Sequence, residues 1–271
     1  MRPLSARSKH DHAAASAGRV VTIHQRLAEW LKPGVTLGRV DAFVADQLED
    51  LGAKSCFKGY RVPKTPPFPS FACLSLNDCV VHGTAGMSTT PLQEGDFFSI
   101  DIGVSYRGWI GDAAWTYAIG HQTEDAKRLA DAGKASIAAG IEAIRPGGVW
   151  LDFAKAVQRV VEDEHHLHLV RGLGGHGYGR KLHAPPYISN VVPQYKGEWP
   201  DANREIVPGD LVAVEPMLAI GTNRISQQPG GWPIFTADGS LSAHYEHDVL
   251  VDESGPIVLT KELENLPDVV G

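Results

Sequence analysis

Only three cysteines, Cys56, Cys73 and Cys79, occur in the 271 residues. Their odd number and the lack of C-x-x-C spacing argue against a disulfide framework and point to a reduced, cytoplasmic setting. No apolar run approaches the roughly 20 residues that span a bilayer, so a membrane partner is not expected. A basic excess is also missing. Twenty-five Lys and Arg against 32 Asp and Glu leave a net charge of −7, which disfavours nucleic acid as the main ligand. Neither G-x-S-x-G nor H-E-x-x-H is present, so neither the serine nucleophile elbow nor the zincin helix is expected. The first 18 residues carry Arg2, Arg7 and Lys9 but no apolar stretch. They read as a disordered tail (1–18) rather than a secretory signal, with one catalytic domain over 19–271.

A 43% hydrophobic and 21% charged composition can bury a sizeable core, and 29 glycines with 18 prolines predict many tight turns between short strands. Apolar spacing predicts helices over 19–31 and 37–51, then over 124–144 and 150–166. Leu31-Lys-Pro-Gly and Ile144-Arg-Pro-Gly stand between the members of each pair, and glycine-punctuated strands follow both. This resembles a duplicated helix-helix-strand unit. A duplicated unit implies two pseudo-symmetric halves with a site between them. Residues 58–69, rich in Pro and Lys, read as an irregular surface loop.

The chemistry concentrates around Ser99-Ile-Asp101-Ile-Gly-Val-Ser-Tyr-Arg-Gly-Trp-Ile-Gly-Asp112. It reads as a hairpin turning at Arg107-Gly108, with Asp101 and Asp112 opposite each other on one face. Cross-strand partners lie about 5 Å apart. Two carboxylates that close, in an apolar hairpin, need a cation between them. Further ligand types lie downstream: His82 after Cys79-Val-Val, His176 within Gly174-Gly-His-Gly, and His183 before Ala-Pro-Pro. Glu215 ends the apolar strand from Leu211, and Glu246 is embedded in a strand from Ala243. Gly172-Leu-Gly-Gly-His-Gly matches the dinucleotide fingerprint G-x-G-x-x-G. However, Arg180, Lys181, Pro185 and Pro186 follow it, and no helix can open there.

Asp101-Ile-Gly with Gly111-Asp112, Gly175-His176-Gly-Tyr-Gly-Arg, Glu215-Pro-Met and Tyr245-Glu246-His247, in this order, resemble the type I methionine aminopeptidases. The resemblance covers about residues 19–263. It implies an α+β pita-bread fold, two helix-helix-strand halves around a central curved antiparallel sheet. It implies five metal ligands, Asp101, Asp112, His176, Glu215 and Glu246, holding two divalent ions (Co, Mn, Fe or Zn). The oxygen-rich donor set suits Mn, Fe or Co better than a structural tetrahedral zinc. It also implies that a metal-activated water attacks the first peptide bond, with Glu215 as proton shuttle and His82 and His183 contacting substrate. Cys56, Tyr60, Cys73, Leu182 and Trp232 are the implied walls of the methionine pocket. The implied partners are nascent polypeptide N-termini with a small second residue, acted on by a cytoplasmic monomer. No zinc-finger extension precedes the matching region, so at most a transient ribosome contact is expected. Ala184, Thr84-Ala85, Ala113-Ala114 and a longer loop between Cys56 and Cys73 depart from the family pattern without removing a ligand. Two rival readings share the fold: an Xaa-Pro dipeptidase or aminopeptidase P, and a binding protein that has lost its metals.

Overall fold

The structure, a computed structural model, describes residues 6–271, with side chains from His10 onward. Four α-helices form two pairs: α1 (Ala6–Trp30) with α2 (Leu37–Asp50), and α3 (Glu124–Ala143) with α4 (Trp150–Gln158). A π-helical turn, Arg159–Glu164, extends α4. Thr36 and Thr123 cap α2 and α3, their hydroxyls accepting from the Arg39 and Ala126 amides. Each cap satisfies an amide that the helix itself cannot.

The first helix begins well before the expected residue 19. Residues 6–18, expected to be a disordered tail, continue α1, and residues 1–5 lie outside the described ones. The reason is contact rather than apolar periodicity. Ala13, Ser16 and Ala17 are fully buried, and the Ser16 hydroxyl donates to the Trp109 carbonyl at 3.1 Å. Small residues let the helix backbone lie close to the strand, but they contribute little to an apolar pattern.

In the first half, Phe97–Tyr106 and Trp109–Ile119 pair without a break from Phe97↔Ala118 to Tyr106↔Trp109. Arg107 and Gly108 make the turn with φ of 50° and 77°, the doubly positive geometry that suits a two-residue hairpin. Cys73–Leu76 flanks this hairpin antiparallel, and Val269–Val270 joins the other edge in parallel. In the second half, five antiparallel strands run in the order Gly255–Val258, His247–Asp252, Leu211–Val214, Gly174–Gly177, Ala184–Ser189. Two three-stranded sheets complete the layer, one of them built on Met217–Ala219 and Ser242–His244.

The two halves meet along a seam. The Glu246 amide donates to the Ala114 carbonyl at 2.9 Å, and the Asp112 amide donates to the Asp248 carboxylate at 2.9 Å. A shared apolar core joins Val20, Ile23 and Leu27 of α1 with Phe153 and Val157 of α4 through Phe98, Ile100 and Trp115 of the hairpin. Each such large side chain contributes about 1.5–3 kcal/mol by burial. The seam is therefore held rigidly from both sides.

Candidate metal centre

The hairpin register differs from the expected one. Asp101 faces Ala114 and Asp112 faces Gly103, so the two aspartates are diagonal neighbours on one face rather than directly opposed. A two-residue turn at Arg107-Gly108 dictates this, since it pairs Tyr106 with Trp109 and every earlier partner follows. Cys73, on the flanking strand, faces Asp101 directly.

The second-half carboxylates sit at a break. Leu211–Val214 and Met217–Ala219 are separated by Glu215-Pro216, and Ser242–His244 and His247–Asp252 by Tyr245-Glu246. Glu246, expected inside a continuous strand, thus lies in a gap between two strands. Val214 pairs with His247 and Met217 with His244. The same register carried across the gap sets Glu215 opposite Glu246. Pro216 has no amide hydrogen, so it cannot donate to a ladder there.

His176 comes from Gly174–Gly177, where glycine is needed for closeness. A Cβ on Gly175 would stand 2.2 Å from the Ala213 carbonyl oxygen. The run that resembles a nucleotide loop is therefore a tightly flanked strand. His176 Nδ1 lies 3.1 Å from the Gly177 carbonyl, to which a protonated Nδ1 donates. Its Nε2 faces inward, 3.8 Å from Asp112 Oδ2 and 3.6 Å from Glu215 Oε1.

These side chains meet at one end of a cavity of about 290 Å3. Asp101, Asp112, His176, Glu215 and Glu246 line it together with His82 and His183. Asp112, Glu215 and Glu246 are buried, and among the described residues their only ion-pair partners are histidines. Burial foremost, then the neighbouring carboxylates, pushes all four acids well above the ordinary carboxylate range. Burial first, and then the nearby His183, lowers His82 and His176 to about 4. His244 falls to about 3, through burial first and then His82. The result is a set of neutral imidazole lone pairs beside crowded carboxyl oxygens. Oδ1 of both Asp101 and Asp112 is buried without a hydrogen-bond partner. Unsatisfied buried oxygens and crowded acids are what a divalent cation would satisfy, so the donor set fits a metal.

The apolar end of the cavity is formed by Phe57, Tyr60, Val62, Phe68, Cys73, Leu182 and Trp232. Cys56, expected in this wall, packs behind it with the Phe57–Phe68 cluster and is not among the lining residues. Its amide donates to the Gly103 carbonyl, which turns it to the hairpin side. Phe57 and Phe68 were not anticipated. Phe68 comes from the stretch 58–69 expected to be irregular surface, and Phe57 immediately precedes it; the stretch folds back on itself through the Gly59 amide to Phe68 and the Phe68 amide to Tyr60. Trp232 closes over this loop, its indole N–H donating to the Pro66 carbonyl at 2.8 Å. The Tyr60 hydroxyl meets His183 Nδ1 at 2.8 Å and leaves Nε2 for the cavity.

Two further residues escaped the sequence reading: His244, beside Glu215 and Glu246, and Asp248, whose carboxylate accepts from the Asp112 amide. The signal was there. They stand two residues on either side of Glu246, the spacing that returns a strand side chain to the same face.

The model of metallopeptidase family M24 matches residues 11–253. The chain belongs to that family. A methionine aminopeptidase of Aquifex aeolicus is 37% identical over 236 residues, covering 87% of this chain and 89% of that protein. A crystal structure of methionine aminopeptidase from Thermotoga maritima superposes with a TM-score of 0.85 at 31% identity, over 96% of this chain and 99% of the other. The X-Pro aminopeptidase of the same organism reaches a TM-score of 0.71 at 16% identity, and this chain spans only 62% of it. That likeness establishes the fold alone. The α+β pita-bread fold expected from the sequence is the fold of this M24 chain, and the family makes it a metal-dependent hydrolase.

Proposed function

We propose that this M24 chain is an aminopeptidase that removes the N-terminal methionine from nascent proteins and peptides, preferring a small second residue. One observation carries the reading. An apolar wall of Phe57, Tyr60, Phe68, Cys73, Leu182 and Trp232 shares one cavity with a cluster of four carboxylates and the His176 imidazole. Aromatic edges and the Cys73 sulfur suit a thioether. The named relatives support the same substrate.

Asp101, Asp112, His176, Glu215 and Glu246 would hold two divalent ions from among Co, Mn, Fe and Zn. Such ions supply Lewis acidity, polarising a carbonyl and making water nucleophilic near neutral pH. The chain's own groups do the rest. A free α-amino group would lie at the ligand-bearing end of the cavity, which restricts cleavage to the first residue. Glu215, at the break in its strand, takes and returns the proton. His82 hydrogen-bonds near the scissile nitrogen, and its φ of 58° aims it into the cavity from the end of Cys79–Val81. His183, oriented by Tyr60, donates to the carbonyl oxygen or the next peptide group. Leu182, Phe68 and Trp232 exclude water around the first side chain. The resemblance to the methionine aminopeptidases supports a cytoplasmic setting and a monomer as the working unit. No described helix is long and apolar enough to cross a membrane.

The test is release of free methionine from Met-Ala-Ser peptides by protein reloaded separately with Mn, Co, Fe or Zn, with Ala-Pro peptides alongside. Metal-dependent methionine release is expected. Cleavage of Ala-Pro peptides alone would overturn the reading in favour of a proline-specific enzyme.

A further inference from the structure

His244 is only 3% exposed, yet its Nε2 has no hydrogen-bond partner among the described residues. That nitrogen lies 3.4 Å from Glu215 Oε2 and 3.9 Å from Glu246 Oε2. An orphaned buried imidazole nitrogen costs stability unless something occupies the space before it. One atom each from Glu215, His244 and Glu246 lies within 4.8 Å of the others, and the same holds for Asp112, His176 and Glu246. Glu246 is common to both sets. Each set therefore has one imidazole and two carboxylates, the composition of a first-row metal site.

The placement is also held firmly. The His244 amide donates to Ser99 Oγ and Thr116 Oγ1, both at 3.2 Å, and its carbonyl accepts from Thr116 Oγ1 at 2.7 Å. The two hydroxyls belong to the facing strands of the aspartate hairpin and bond each other at 2.8 Å. The hairpin that carries Asp101 and Asp112 thus fixes the backbone of His244. A ligand anchored in this way loses little freedom when it binds.

We propose that His244 is a metal ligand, a second imidazole that completes a donor set with Glu215 and Glu246 beside the set of Asp112, His176 and Glu246. This rests on the divalent-metal part of the proposed function. A second nitrogen donor biases the centre toward the later first-row ions, Co and Zn, over Mn.

The test uses the whole chain loaded with two equivalents of Co(II). Proton NMR of the native protein should give two exchangeable, hyperfine-shifted imidazole N–H signals, and His244→Gln should leave one. In calorimetric titrations, His244→Gln should weaken one equivalent of Co(II) by roughly 10–100-fold and Mn(II) by less than about tenfold. The native spectrum stands even if the variant does not fold. A single imidazole signal from native protein that binds cobalt and releases methionine would overturn the ligand role while leaving the peptidase reading intact. No cobalt uptake at all would overturn both.

Discussion

The two carboxylate-bearing ribbons of the centre are built on opposite principles. The aspartate hairpin is an unbroken ladder closed by a two-residue turn, and its acids are staggered diagonally across one face. The glutamate ribbon joins strands about 30 residues apart in sequence (215 to 246), and its ladder is interrupted where the acids stand. Staggering lets an uninterrupted hairpin carry two acids. Direct opposition forces like groups together, and the ladder opens at that point with Pro216 withholding an amide hydrogen. The hairpin is thus a rigid platform, whereas the glutamate gap depends on what fills it.

The largest expected effect comes from the cation itself. Saturating metal, at about a thousandfold over its dissociation constant, should stabilise the chain by about 4 kcal/mol for each ion bound. The gain should grow with pH. In the metal-free chain the raised pKa values of the four acids mean that folding favours their protonated forms, so that stability is lost as pH rises through those values. His82 and His176, lowered to about 4, act oppositely: their contribution is present above 6.5 and lost as pH falls toward 4. Thermal melts with and without chelator across this range test it, and a metal-dependent gain that does not vary with pH would contradict it.

Asp101→Asn and Glu246→Gln should each lower methionine release by more than about 100-fold, since both remove a ligand. Steady-state assays with added metal decide this, and survival of activity in only one variant would divide the platform from the gap functionally. A smaller effect separates the ribbons without metal. Glu246→Gln should stabilise the metal-free chain by about 1 kcal/mol at neutral pH, and Asp101→Asn by about half as much, because direct opposition is worse than a diagonal. Denaturant titrations in chelator would show equal gains if the ribbons were alike. Smallest of all, Tyr60→Phe removes one hydrogen bond to His183 and should slow turnover roughly three- to tenfold with little change in KM.

Legibility followed contact distance along the chain. The turn at Arg107-Gly108, the helix pairs and the individual acid-bearing stretches could all be read locally. The diagonal offset of Asp101 and Asp112 could have been counted from that same turn. His244 and Asp248 were readable only by alternation about Glu246, once Glu246 mattered. Phe68 was hidden in a proline-rich loop whose composition resembles solvent-exposed chain, with Phe57 just before it, and the helical start of α1 was hidden because Ala13, Ser16 and Ala17 make no apolar stripe.

The sequence by itself determined which residues could bear the chemistry and the local elements that present them, because turn geometry and side-chain periodicity act over a few residues. Only the tertiary structure decided that Glu215 stands against Glu246, that His176 and His244 point at them from different strands, and that a loop folds over to wall the cavity. Those contacts join residues from Phe57 to Asp248, and their register is set by the packing of two half-domains against each other, which no local pattern encodes.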